Sequence, residues 1–180
     1  MRHLHRLVIS AAALLPVILA PTTTAVASRA GVGCGAAAGT RIAVTASYRF
    51  ALRIGATEKM YTPSQVRTMH PKDGEVMLRG SMSMGGMSMG PSMRHLEVQI
   101  CAQKTRVVIT NANPTIVVTD NTDKGMATKV PVAVMEGIGE GVADLHYGNN
   151  VMITGGHRVT ITVSLEGERA VFHLTMPKTT

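Results

Sequence analysis

His95 and Glu97 stand two residues apart in the stretch Arg94-His95-Leu96-Glu97-Val98-Gln99-Ile100, where polar and apolar residues alternate. Successive side chains of a β-strand point to opposite faces, so His95, Glu97 and Gln99 share one side while Leu96, Val98 and Ile100 face a core. An imidazole and a carboxylate that project together form half of a metal site, although the same spacing also describes an ordinary exposed strand face. A second set, Met135, Asp144 and His146, lies in the glycine-rich segment from Val132 to Asn150. There it either completes a site with His95 and Glu97, or Met135 packs into a core and His146 caps a turn.

A third set precedes the strand directly. Met82, Met84, Met87, Met89 and Met93 are interleaved with Ser83, Gly85, Gly86, Ser88 and Gly90, which deny the tract an apolar face. Thioethers are soft ligands that favour Cu(I), and a glycine and serine backbone can wrap several of them around one ion. The tract reads as a copper-related loop, with a plain flexible connection as the alternative. Imidazole and carboxylate suit Cu(II) and thioether suits Cu(I), so the mixed set fits a site that holds copper in both oxidation states. Met60, Met69 and His70 could add ligands, but a histidine at a helix end is more often a cap. His157 and His173 alternate with strand residues and read as structural.

These residues need a scaffold, and its pattern is mostly period two. Strands are expected at Ile42 to Arg53, Arg94 to Ala102, Arg106 to Thr110, Thr115 to Thr119, Ala127 to Val134, His157 to Leu165 and Arg169 to Thr175, rich in Val, Ile and Thr. Turn signals stand between them at Asn113-Pro114, Asp123-Lys124-Gly125, Gly155-Gly156 and Glu166-Gly167. Short strands at this spacing imply an all-β, immunoglobulin-like sandwich. One helix is expected from Pro63 to about Met69, because Thr62-Pro63-Ser64-Gln65 combines an N-cap, a proline at the first helical position and a glutamine at the third. His70-Pro71 should end it.

Arg2, His3, His5 and Arg6 precede an uncharged apolar run from Leu7 to Ala20, followed by Ala25-Val26-Ala27. Residues 1–27 therefore read as a secretory signal and the protein as exported, periplasmic or extracellular. No later run approaches the roughly 20 apolar residues of a membrane helix. Residues 28–39 read as a flexible start, and 40–180 as one sandwich domain carrying the methionine-rich loop at 80–93. Loss of Arg2 and Arg6 lowers the formal net charge from +7 to +5, and aromatic residues make up only 3% of the chain with no Trp. With Lys and Arg scattered, a nucleic-acid surface is not expected. Cys34 and Cys101 could close a disulfide in an oxidising compartment; lipidation of Cys34, or a lone buried thiol at Cys101, are the alternatives.

Arg94 to Ile100 (RHLEVQI) and Leu145 to Val151 (LHYGNNV), with a methionine between them and a closing hairpin from His157 to Leu174, resemble the periplasmic high-affinity iron-transport protein family. The resemblance covers roughly residues 94–175. It implies an immunoglobulin-like sandwich that binds copper, with iron as the second candidate metal, and that works in iron uptake beside an inner-membrane permease. It also implies imidazole ligation by His95 and His146, a carboxylate ligand or support from Glu97, a thioether ligand from Met135, and dimers with the site near the interface. The chain departs from the family in the longer spacing from Met135 to His146, Gly137 to Gly141 being extra, and in lacking an acidic surface.

No nucleophile, base and acid set and no Gly-x-Ser-x-Gly elbow is present, so an enzyme is not expected. The competing class is a secreted sandwich used for adhesion or partner binding, in which the motifs serve only turns and packing.

Overall fold

The computed structural model describes Cys34 and residues 38–80, 90–123 and 125–178. The expected signal, and Met82, Met84, Met87 and Met89 of the tract, lie outside the described residues. Among the described residues eleven strands form two sheets, an all-β sandwich with one short helix. The strands are β1 (Arg41–Val44), β2 (Tyr48–Gly55), β3 (Met60–Tyr61), β4 (Glu75–Arg79), β5 (Met93–Ala102), β6 (Thr115–Asp120), β7 (Met126–Lys129), β8 (Ala133–Gly137), β9 (His146–Met152), β10 (Arg158–Leu165) and β11 (Glu168–Thr175). The larger sheet has the order β1-β2-β5-β9-β8-β4-β3 and the smaller one β11-β10-β6-β7.

Alternation decides which residues fill the space between the sheets. Leu96, Val98 and Ile100 of β5 and Tyr147 of β9 are fully buried there, against Ile116 of β6 and Ile161 and Val163 of β10. Each such side chain contributes roughly 1.5–3 kcal/mol by leaving water. Tyr147 keeps its polar end satisfied at the rim: its hydroxyl donates to the Ile109 carbonyl (2.6 Å) and accepts from the Ala112 N–H (2.9 Å).

Several expected strands take a different form. The run from Ile42 to Arg53 is a hairpin, β1 and β2, because Thr45 accepts the Tyr48 N–H with its hydroxyl and closes a turn. The run from Ala127 to Val134 divides around Pro131 into β7 of the smaller sheet and the start of β8 of the larger one. Proline cannot donate to a ladder and is suited to this change of sheet. Arg106 to Thr110 makes one isolated bridge, Val108 to Cys101.

The helix α1 (Pro63–Met69) is as expected. The Thr62 hydroxyl accepts the Gln65 N–H, the Gln65 side chain accepts the Thr62 N–H, and His70 ends the helix in the left-handed region, its N–H donating to the Val66 carbonyl. Cys34 and Cys101 are joined as a disulfide with their Cα atoms 6.0 Å apart, which ties the early chain to β5.

Candidate metal centre

The outward face of the larger sheet carries the candidate site, and it is not an exposed strand face. His95 has no exposed surface and Glu97 retains only 8%. Residues directly opposite one another in an antiparallel ladder project to the same side. His95 pairs with Asn150, Glu97 with Gly148, Met135 with His146, and Glu75 with Gly137. One polar layer therefore runs from β5 across β9 and β8 to β4.

Glycines make that layer possible. A Cβ on Gly148 would collide with the Leu96 carbonyl, so only glycine lets β5 and β9 approach at this point. Gly148 also lies between His146 and Asn150, and hence between the two histidines along the ladder. The rings lean toward each other: their centroids are 5.6 Å apart, and Nε2 of His95 is 3.4 Å from Nε2 of His146. A Cβ on Gly137 would press on the Asp144 carboxylate, which accepts the Gly137 N–H; opposite Gly137 on β4, Glu75 reaches its carboxylate to 3.7 Å from His146 Nε2. The ligand atoms of Glu75, His95 and His146 all lie within 4.8 Å of one another, and all three residues are buried.

The tautomers follow from the other ring nitrogens. His146 Nδ1 lies 2.8 Å from the Asp144 carbonyl oxygen, which can only accept, so Nδ1 carries the hydrogen. His95 Nδ1 lies 3.0 Å from Asn150 Oδ1. That amide is oriented by the Glu58 backbone, whose N–H donates to Oδ1 (3.2 Å) and whose carbonyl accepts from Nδ2 (2.8 Å). In their neutral forms both histidines thus turn unprotonated Nε2 atoms toward one point, as metal-binding imidazoles do. Gln99 supports the arrangement by donating to the Ala143 carbonyl (2.7 Å), which holds the 3-10 turn Gly141–Asp144 beside β5.

Electrostatics agree with the geometry. Burial first, and then the neighbouring His146, push the His95 pKa down and keep the ring neutral. Burial raises Glu75 from 4.5 to about 7; His146 opposes this, while Asp144, Glu97 and Glu58 add to it. Glu75 Oε2 is buried without a hydrogen-bond partner. An unsatisfied buried carboxylate oxygen costs at least about 1–3 kcal/mol, so it calls for an occupant. Two imidazole nitrogens and a carboxylate oxygen suit a borderline divalent ion, and hydrogen bonds at both Nδ1 atoms already orient the rings.

The other sequence-based candidates are distributed around this core. Met135 is fully buried and adjoins His146 across the β8 and β9 ladder. Glu97 stands on the same face, but its carboxylate is held by Arg53 at 2.8 Å. Asp144 serves through its backbone carbonyl, and its side chain accepts the Gly137 N–H (2.9 Å). Met93 shares the His95 face at the far end of β5, paired with Met152. His157 bonds Asp120 (2.6 Å) and His173 bonds Thr160 (3.1 Å), away from the centre. Met60 and His70 form strand and helix-end contacts. Sequence reasoning missed Glu75 and Asn150. The signal for Glu75 was an acid opening the apolar stretch Glu75-Val76-Met77-Leu78 just after a glycine.

No family model matches the chain, and no curated protein matches it. Two solved structures are similar in chain path. FetP of uropathogenic E. coli strain F11 is 12% identical with a TM-score of 0.48, covering 81% of this chain and 95% of that one. A DUF4426 family protein from Pseudomonas aeruginosa PAO1 is 14% identical with a TM-score of 0.44, covering 78% of this chain and 96% of that one. Neither assigns this chain to a family. Among the described residues no helix is long and apolar enough to cross a membrane.

Proposed function

We propose that the protein is an exported copper-binding protein, acting in copper handling or as an accessory to iron uptake, and not an enzyme. His95, His146 and Glu75 hold the ion, with the Met135 thioether beside them and the Met82 to Met93 tract as a collector of Cu(I). The observation that carries this reading is the buried, unpartnered Glu75 oxygen beside two facing Nε2 atoms. Support also comes from the His-Leu-Glu and His-Tyr-Gly motifs and from the apolar leader, which favours a compartment outside the cytoplasm. Thioether beside imidazole is the donor mixture that selects copper over harder ions. A membrane permease is the partner class that the motif resemblance suggests.

A competition titration with Cu(I) and Cu(II) tests the reading on the unaltered protein, a His95→Ala, His146→Ala double variant, and a chain lacking Met82 to Met93. Tight Cu(II) binding in the first and third, lost in the second, is expected, with a reduced Cu(I) stoichiometry in the third. Equal, weak binding by all three would leave a secreted partner-binding sandwich as the better account.

A further inference from the structure

Met77 was not among the sequence-based candidates, yet the sheet places it in line with the centre. It follows Glu75 by two residues on β4, so the two share a face. Its register partner on β8 is Met135, whose own partner on β9 is His146. Directly opposed residues have Cβ atoms about 4.5–5.5 Å apart. Met77, Met135 and His146 therefore form a row across three strands, with Glu75 one pleat along from the first.

Met135 is fully buried but lies outside the apolar cluster between the sheets, and its register with His146 places it on the face that carries the polar layer. Met77 is half-buried and is the member of the row that reaches solvent. The ladder slips between Met77 and Arg79, a bulge of the kind that re-aims side chains beside functional sites.

We propose that Met77 and Met135, together with the His146 imidazole, form a second, soft metal site adjoining the His–Glu centre, selective for a monovalent soft ion such as Cu(I). This deepens the reading above and rests on it through His146, whose one unprotonated nitrogen, Nε2, serves the two sites in turn and not together. Two thioethers and a neutral imidazole carry no charge and favour Cu(I), whereas the Glu75 carboxylate favours Cu(II). The two oxidation states of one metal are thus offered different donors on one face of one sheet. Met77 is the donor that an incoming ion meets first.

Silver(I) is a redox-inert probe for such a site. The test uses the full chain with Met82, Met84, Met87 and Met89 changed to leucine, so that the tract does not compete. With ¹³C-methyl methionine, one equivalent of Ag(I) is expected to shift two methyl resonances, identified by their absence in Met77→Leu and Met135→Leu. Met77→Leu conserves volume, so the fold is retained. Its Ag(I) affinity should fall by about tenfold or more, with Cu(II) affinity unchanged. A Met77 methyl that does not move, or an unchanged Ag(I) affinity in Met77→Leu, overturns the proposal. Failure of the His–Glu centre would look different: Glu75→Gln would leave Cu(II) affinity unaltered while the Ag(I) shifts persisted.

Discussion

The larger sheet has two buried faces, and they are buried for opposite reasons. On the inner face, Leu96, Val98, Ile100 and Tyr147 pack against the second sheet and need only volume and apolarity. On the outer face, His95, His146, Asn150 and Glu75 are as inaccessible, but each polar atom there needs a partner. Glu75 Oε2 has none, and the Nε2 atoms of His95 and His146, unprotonated in the neutral rings, meet only each other at 3.4 Å. The same two strands, β5 and β9, build both layers from alternate residues. One face is thus a source of stability, and the other stores an unsatisfied interaction that a ligand can relieve.

That contrast breaks most sharply on the inner face. Ile100→Ala is expected to destabilise the protein by about 2–5 kcal/mol, the range for removing a fully buried aliphatic side chain. It should leave copper stoichiometry unchanged wherever the variant is folded. Denaturant unfolding alongside a Cu(II) titration measures both, and a stoichiometry that fell with stability would show that the faces are not separable.

On the outer face the sign reverses. The folded protein holds the Glu75 proton up to about pH 7, whereas the unfolded chain releases it near 4.5. The stability from protonated Glu75 is fully present below about pH 4.5 and is lost as pH rises through about 7. His95 runs the other way: its depressed pKa contributes stability above its ordinary 6.5 that is lost on acidification. Comparison with Glu75→Gln isolates the carboxylate. Without metal, that variant should be more stable than the unaltered protein above pH 7, by about 1–3 kcal/mol, while losing the stabilisation that added copper gives. Unfolding curves at pH 4.5 and pH 8 check this, and a variant less stable than the parent at pH 8 would contradict it.

What the sequence discloses divides along the same line. Alternation from Arg94 to Ala102 and from His157 to Thr175 reads correctly as strands, and the capping residues of α1 specify its start and end, because these signals are local. His95 and His146 are legible from motif and face. The segment Val132 to Asn150, by contrast, looks like a glycine-rich loop but contains β8 and β9, since Gly148 and the paired asparagines 149 and 150 mask a strand of period two. Glu75 and Met77 are reached only through register: their partners on β8, Gly137 and Met135, stand 62 and 58 residues further along the chain, too remote for spacing to disclose, and only this pairing brings β4 beside His146. Asn150 gains its role from being opposite His95, which is again a property of the ladder.

The most direct test of the central claim is pulsed electron paramagnetic resonance of the Cu(II)-loaded protein. Imidazoles bound through Nε2 leave their Nδ1 nitrogens as remote nuclei that modulate the echo. Two such nitrogens are predicted for the unaltered protein, with one remaining in His95→Ala and one in His146→Ala. A modulation without imidazole nitrogens, or one unchanged in both variants, would contradict a centre built from these two histidines.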